Sequence, residues 1–188
     1  MEERTRAFIA IELPHHIRTA ILNVQNRLKP GLKGIRWVYP GNIHLTLRFL
    51  GDITNSEITA VKAVLSETAR EFSPFLLSAK SIGTFPGLNR PRVMWIGLGG
   101  EIIPLKDLVL GLENNLEAIG IERDARSFSG HLTIGRVKGK IDPVRILESI
   151  KELRDFESEM FSVHQINLYK SDLKPEGPIY TKLFSAEL

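Results

Sequence analysis

The sequence predicts an α+β protein of two lobes related by a pseudo-twofold axis, with antiparallel sheets lining a central groove and helices outside. The phrase His-Leu-Thr occurs twice, at residues 44–46 and 131–133, in segments that alternate as β-strands do. Each half of the chain holds about two helical segments and several strands, and a helix closely follows the phrase in each half. No linker divides the halves, so we expect residues 1–188 to form a single domain of two lobes.

Composition excludes several classes of protein. The chain has 188 residues, of which 43% are hydrophobic and 25% charged, as in ordinary globular domains. It contains no cysteine, which excludes a disulfide framework, a thiolate nucleophile and cysteine-ligated zinc. No apolar run approaches the roughly 18 residues of a membrane span, and the first residues are too charged for a secretory signal. We therefore expect a cytoplasmic protein that does not bind membranes.

The first half opens with a strand over residues 7–13, after which Pro14 suits the first turn of a helix. Apolar residues at helical spacing predict that this helix covers residues 15–28. A short strand at 35–38 precedes a strand over 42–50, which carries the first His-Leu-Thr phrase. Strict alternation in this strand predicts a buried face of Ile43, Leu45, Leu47 and Phe49, and an opposite face of His44, Thr46 and Arg48.

The next segments are read from caps, turns and periodicity. Thr54 and Glu57 form a capping-box pattern that opens a helix ending at about residue 71. The elements that follow are a strand at 75–82, a loop at 85–92, a strand at 93–98 and a helix at 104–119.

The second phrase lies in a strand predicted over residues 128–137. Asp142 and Pro143 fit the N-cap and first position of a helix that ends at about residue 154. The last predicted elements are strands at 158–168 and 179–184, joined by a turn at 174–178.

The repeated phrase carries the chemistry. A histidine and a threonine two residues apart on a strand point to the same face. Two such strands facing each other would place His44, Thr46, His131 and Thr133 around one small anion. Because an imidazole titrates near pH 6.5, one ring can hold a proton while the other accepts one, as general acid–base attack on a phosphodiester requires.

Any single histidine could also have a structural role without taking part in catalysis. Either motif alone could be a hydrogen-bonded, solvent-facing histidine, and we expect His15, His16 and His164 to have structural roles. No third ligand pattern accompanies the two motif histidines, so we expect no metal and no other cofactor.

Basic residues gather around the second phrase, although the net charge is only +3. A basic rim of this kind would attract a phosphate chain, while any single member could be an ordinary solvated residue. The rim consists of Arg90, Arg92, Arg123, Arg126, Arg136, Lys138 and Lys140.

The sequence resembles the two-histidine phosphoesterase superfamily, and within it the RNA 2′,3′-cyclic phosphodiesterases, also called 2′-5′ RNA ligases, of bacteria and archaea. The paired HxTx motifs are the specific part, and the likeness extends over essentially the whole chain. The segments that carry it are residues 6–11, 13–14, 37–38, 42–47, 49–51, 85–86, 90–95, 168–171 and 175–180. One departure is Gly130, where the family commonly has proline before the second motif.

This resemblance implies a bilobal α+β fold and metal-free hydrolysis of a terminal RNA 2′,3′-cyclic phosphate to a 2′-phosphate. It implies that His44 donates a proton to the leaving ribose oxygen and that His131 deprotonates the attacking water. Thr46 and Thr133 would donate hydrogen bonds to the non-bridging phosphate oxygens. The residues by themselves do not assign the two histidine roles, because the pseudo-symmetry makes them interchangeable.

Three further residues are candidates for substrate binding. Arg136 matches the arginine that follows the second motif in the family, but alternation places it on the core side unless the strand ends or bulges near Gly135. Arg48 has the alternation of the groove face and could equally be an ordinary surface residue. Phe49 and Tyr169 could each stack on a base, although core packing is the favoured role of Phe49.

Other functions stay open from the sequence. A 5′-hydroxyl of a second RNA could replace water, giving ATP-independent 2′-5′ ligation in the same groove. The chain could also be a non-catalytic binder of RNA ends, or act on a small cyclic nucleotide such as an ADP-ribose cyclic phosphate. The expected partners are RNA ends bearing 2′,3′-cyclic phosphate, with tRNA fragments as one candidate, and the expected state is a monomer.

Overall fold

A computed structural model describes residues 3–175 and 177–188, and four α-helices and nine β-strands lie within them. None of these helices has both the length and the apolar character that a membrane crossing needs. The elements are β1 (Arg4–Glu12), α1 (His15–Leu28), β2 (Ile35–Trp37), a 3₁₀ turn (Pro40–Asn42), β3 (His44–Thr54), α2 (Asn55–Ala69), β4 (Phe75–Phe85), β5 (Val93–Gly100), α3 (Ile102–Ala118), β6 (Leu132–Val137), α4 (Pro143–Glu152), β7 (Phe161–Val163), β8 (Gln165–Lys174) and β9 (Gly177–Glu187).

The strands form an antiparallel sheet in the order β7-β4-β5-β6-β3-β1-β8-β9, with β2 paired to β6. At its centre, β3 and β6 pair only through Leu45 and Leu132 among the described residues. On either side of this junction lie four strands, β3-β1-β8-β9 and β6-β5-β4-β7, whose order is related by a twofold. The predicted bilobal α+β fold is therefore confirmed, with the two predicted sheets joined into one continuous sheet at this pair.

Two βαβαβ units follow each other, β1-α1-β3-α2-β4 and β5-α3-β6-α4-β8, once the short strands β2 and β7 are set aside. Strand β2 pairs with β6, and β7 pairs with β4. The last strand of each unit pairs with the first strand of the other, β4 with β5 and β8 with β1. Separating the two βαβαβ units would break both of these ladders, because each unit contributes its last strand to the lobe that contains the first strand of the other.

Local sequence signals set the helix ends. Helix α1 has the predicted bounds and buries Ile17, Ile21 and Leu28 against the sheet. The capping box of α2 is complete, because Glu57 N donates to Thr54 Oγ1 at 3.2 Å and Thr54 N donates to Glu57 Oε2 at 2.7 Å.

Other elements differ from the predictions. Helix α3 begins at Ile102, which places Pro104 in the first turn, where its missing N–H needs no partner. The strand predicted over 158–168 is divided into β7 and β8, which pair with different lobes. The predicted 174–178 turn is shorter, since Lys174 ends β8 and Gly177 begins β9, and Glu176 lies outside the described residues.

A β-bulge in the first motif strand changes its face pattern. Ala10 pairs with Thr46 and Ile9 pairs with Arg48, which leaves Leu47 as an extra residue. Beyond the bulge Arg48 turns to the helix-covered face, where it is 7% exposed, and Phe49 turns to the groove face, where it is 55% exposed. The predictions that Arg48 faces the groove and that Phe49 is buried are therefore wrong, because they assumed uninterrupted alternation.

Arg48 lies in a cluster of charges that joins the lobes on the face opposite the groove. Its Nη1 is 3.2 Å from Glu113 Oε1 on α3 and 3.8 Å from Asp124 Oδ2, and its guanidinium also donates to the carbonyl of Glu122. These partners compensate the burial of its charge. Arg48 thus links β3 of the first lobe to α3 of the second.

Candidate active site

The two motifs meet at the centre of the sheet. His44 is the first residue of β3, and His131 directly precedes β6. By the antiparallel geometry around the Leu45–Leu132 pair, His44 lies beside Thr133 and Thr46 lies beside His131. All four predicted catalytic side chains are thus brought together on the groove face.

The two imidazoles are held in the same way. His44 Nδ1 lies 2.9 Å from the carbonyl oxygen of Asn42, and His131 Nδ1 lies 2.7 Å from that of Ser129. A carbonyl can only accept, so each Nδ1 donates its proton to it. In the neutral ring, Nε2 then carries the lone pair. Both rings therefore offer Nε2 as the nitrogen available to a ligand.

The surroundings of His44 are aromatic. Its ring stacks on Phe8 with the centroids 4.7 Å apart, and the Tyr180 ring meets it edge-on at 5.1 Å. Burial lowers the pKa of His44 to about 4, against the opposing effect of its hydrogen bond to Asn42. The imidazole of His44 is accordingly neutral at pH 7 in the ligand-free protein. The His131 ring has a single edge contact among the described aromatics, with Phe85 at 5.0 Å.

We expect the burial of His44 to make the protein less stable in mild acid. Its pKa is about 4 in the folded chain and about 6.5 when unfolded, so between these values the unfolded state binds more protons. The free energy of unfolding should therefore fall as the pH falls from 6.5 to 4, by up to about 3 kcal/mol from this group. Urea unfolding of the wild type and of His44→Gln across this range measures the effect. The fall in the free energy of unfolding between pH 6.5 and 4 should be smaller in His44→Gln than in the wild type. In the control His164→Gln, whose side chain is exposed, the fall should equal that of the wild type.

A second bulge lies in the second motif strand. Trp95 pairs with Thr133 and Met94 pairs with Gly135, which leaves Ile134 as the extra residue. Arg136 consequently turns to the groove face and is exposed. The condition set by the sequence, a bulge near Gly135, is met, and Arg136 lies on the same face as the motif histidines.

Gln25 supports this bulge and was missed by the sequence analysis. It is 1% exposed, and its Nε2 donates to the carbonyl of Ile134 at 2.9 Å and to that of Val38 at 2.8 Å. The amide is thereby a second donor to the carbonyl of the extra residue, which also accepts from Val38 N at 3.0 Å. A Cβ on Gly135 would lie 2.6 Å from Ile35 Cγ2, so the close approach of β2 requires glycine there. A polar residue on the buried stripe of α1 was the signal that could have revealed Gln25.

The two bulges make the groove walls chemically different. Phe49 occupies the position in the first lobe that Arg136 occupies in the second. The wall of the first lobe is aromatic and contains Phe8, Phe49, Tyr169 and Tyr180.

Tyr169 lies one ring away from His44. It stacks on Phe8 with centroids 5.4 Å apart, and its hydroxyl donates to Glu12 Oε2 at 3.3 Å. Burial raises the pKa of the Tyr169 phenol, which stays protonated at neutral pH. The same carboxylate accepts from Lys182 Nζ at 2.8 Å. Tyr169 therefore supports the ring on which His44 rests, and its stacking on a base stays a prediction.

A metal site would need ligands that the groove does not assemble. No group of three or more His, Cys, Asp or Glu side chains that could hold an ion occurs within residues 3–175 and 177–188.

Comparison with protein families matches this duplicated architecture. A family model described as LigT-like phosphoesterase matches residues 11–95 and 101–180, and each of these segments contains one His-Leu-Thr phrase. The chain belongs to the LigT-like phosphoesterase family. The sequence resemblance to two-histidine phosphoesterases is thereby confirmed.

Similar sequences of this LigT-like phosphoesterase come from archaea and bacteria. An RNA 2′,3′-cyclic phosphodiesterase of Archaeoglobus fulgidus is 36% identical over 183 residues, covering 95% of this chain and 97% of the relative. The protein of the same name from Methanothermobacter thermautotrophicus is 33% identical over 180 residues, covering 96% and 97%.

Solved structures share the fold of this LigT-like phosphoesterase. The protein TT0787 of Thermus thermophilus has a TM-score of 0.81 and 29% identity, with 97% of each chain covered. Escherichia coli LigT complexed with 3′-AMP has a TM-score of 0.79 and 25% identity, with 99% of each chain covered.

Proposed function

We propose that this LigT-like phosphoesterase hydrolyses the 2′,3′-cyclic phosphate at RNA ends to a 2′-phosphate by metal-free acid–base catalysis. The observation that carries the proposal is the matched pair of imidazoles, each fixed through Nδ1 to a backbone carbonyl and each leaving Nε2 for a ligand. The proteins of Archaeoglobus and Methanothermobacter named RNA 2′,3′-cyclic phosphodiesterase support the choice of substrate.

The reaction divides between the two histidines. His131 Nε2 takes a proton from water as the water oxygen bonds to phosphorus. The bond between phosphorus and the 3′ oxygen breaks, and His44 Nε2 gives its proton to that oxygen, leaving a 2′-phosphate and a 3′-hydroxyl. Each step is proton transfer by a positioned side chain.

His44 needs a proton that it lacks in the ligand-free protein, because its pKa there is about 4. A phosphodiester anion against the ring favours the charged imidazole and raises this pKa. In this proposal His44 takes up its proton together with the substrate. Thr46 and Thr133 donate to the non-bridging oxygens, and the Arg136 guanidinium offsets the charge that develops on them.

The expected product is specific. Purified protein incubated in EDTA with an oligonucleotide that ends in a 2′,3′-cyclic phosphate should add one water and yield a 2′-phosphate, which phosphorus NMR distinguishes from a 3′-phosphate. Because no metal takes part, EDTA should leave the rate unchanged. A 3′-phosphate product, or turnover that chelation abolishes and zinc or manganese restores, would contradict the proposal.

Ligation is the second candidate, favoured by the same pair of imidazoles. A 5′-hydroxyl could lose its proton to one ring while the other protonates the leaving oxygen, and relief of ring strain would drive the reaction without ATP. Adding an acceptor oligonucleotide with a 5′-hydroxyl to the same assay separates the two outcomes by product length.

We also propose that the protein acts as a cytoplasmic monomer, because one chain supplies both histidine strands and the sequence has no cysteine. Its RNA partners, with tRNA fragments among the candidates, are part of the same proposal.

A further inference from the structure

The structure divides the predicted basic rim into paired and unpaired cations. Arg123 Nε lies 2.8 Å from Glu117 Oε2, and Arg126 Nη2 lies 3.1 Å from Asp124 Oδ2. These two arginines are therefore neutralised by neighbouring carboxylates.

The other five rim cations have no such partner. Across residues 3–175 and 177–188, no carboxylate lies within ion-pair distance of any of them. All five are exposed. Clustered like charges repel one another, and a bound anion reduces this repulsion. The five are Arg90, Arg92, Arg136, Lys138 and Lys140.

Backbone pairing gathers these residues at the far end of the second motif strand. Val137 N donates to the carbonyl of Arg92 at 2.9 Å, which places the β4–β5 loop against the end of β6. Between them lies an open cavity of about 320 Å³, to which Arg90 and Lys140 both contribute and whose lining contains no acidic residue. Two of the unpaired rim cations, Arg90 and Lys140, thus line a concave surface.

The cavity lies beyond the reach of the reacting phosphate. Val137 lines it and is four residues past Thr133, which at 3.3 Å per strand residue is about 13 Å along β6. Arg136, on the groove face, lies between them. An RNA whose terminal phosphate is held by the motif threonines extends only to its 5′ side, and its upstream phosphates could follow β6 to this cavity.

We propose that the cavity at Arg90 and Lys140 binds the backbone phosphates of the nucleotides on the 5′ side of the reacting end. The preferred substrate is then an oligonucleotide, which the protein turns over with a higher kcat/KM than a cyclic mononucleotide. Guanidinium and ammonium groups are suited to this task, and backbone contacts of this kind carry no base specificity. The inference rests on the proposed function, since it assumes that a cyclic-phosphate end occupies the motif groove.

The test compares substrate lengths in the wild type and in the double variant Arg90→Ala/Lys140→Ala. We expect the wild-type kcat/KM to rise from uridine 2′,3′-cyclic phosphate to octanucleotides with the same end. The kcat/KM of the double variant on the octanucleotide should be about tenfold lower than that of the wild type. The slope of log(kcat/KM) against log salt concentration should also be smaller by about 1.4, because two contacts to a single strand are lost. The rate of the double variant on the mononucleotide should stay unchanged.

The matched control is Arg123→Ala/Arg154→Ala, which removes two cations that are paired with Glu117 and Asp155. It should leave the length dependence of kcat/KM intact.

Equal losses on octanucleotide and mononucleotide, or no loss on either, would overturn the proposal and would assign the cations to another partner, such as an acidic protein. A wild type that turns over neither substrate would instead contradict the proposed function. Anisotropy of a labelled octanucleotide ending in 2′-phosphate then tests the cavity by itself, and tenfold weaker binding in the double variant is required.

Discussion

Replacing either motif histidine by glutamine is expected to lower kcat by about 10²- to 10⁴-fold, as is typical when general acid–base catalysis is lost. Glutamine in His44→Gln and His131→Gln fills much of the space of imidazole and can form hydrogen bonds, but it cannot transfer a proton. Single-turnover rates on a cyclic-phosphate oligonucleotide, with substrate affinity measured separately, provide the test. His164→Gln is the matched control, because that histidine also lies beside a strand but is exposed.

The double variant His44→Gln/His131→Gln provides a second criterion. If the two imidazoles act on one phosphorus, removing both should cost little more than the worse single change, because residues that act as a unit are not additive. A non-catalytic binder of RNA ends would show no turnover in the wild type and altered affinity in the variants. A loss below about tenfold in either single variant would contradict the acid–base assignment.

The features that local sequence determines were predicted well. The apolar spacing of α1 gave its bounds, and Thr54 with Glu57 gave the start of α2, because caps and amphipathic stripes depend on residues within a few positions of each other. The repeated His-Leu-Thr phrase likewise predicted the meeting of the two motif strands. Such a phrase needs only the two-residue period of a strand to place its histidine and threonine together.

The residues just after each motif could not be placed by the same rule. The first motif strand β3 contains extra residues at Leu47 and Leu50, and the second motif strand β6 contains one at Ile134. Each extra residue changes the face on which the next residues lie. At Ile134 the bulge is held by Gln25, 109 positions away in the chain. No local pattern encodes that contact. Gly135 indicated a possible bulge in β6, whereas no glycine lies next to Leu47 to indicate the bulge in β3.

Arg48 shows what the bulge in β3 contributes, and replacing it is expected to cause a large loss of stability. Arg48→Met keeps most of the side-chain volume but leaves Glu113 and Asp124 without their buried cation. Breaking a buried ion pair by removing one partner costs about 3–5 kcal/mol, because the remaining charge is left uncompensated. Urea unfolding at pH 7 should show a fall of this size in the free energy of unfolding.

Arg126→Met is the matched control, since Arg126 binds the same Asp124 from a side chain that is 80% exposed. Water screens an exposed pair and leaves it little net stabilising effect, so the control should unfold close to the wild type. Glu113→Gln should also destabilise the wild type, and it should cost less in the Arg48→Met background, where its partner is already gone. Similar losses in Arg48→Met and Arg126→Met would show that Arg48 acts as a surface residue. Because β3 and β6 pair only through Leu45 and Leu132 among the described residues, the contacts of Arg48 with Glu113 and Asp124 add to the few other links between the lobes. We therefore expect the folded fraction of Arg48→Met to turn over more slowly as well, as the two imidazoles lose their fixed separation.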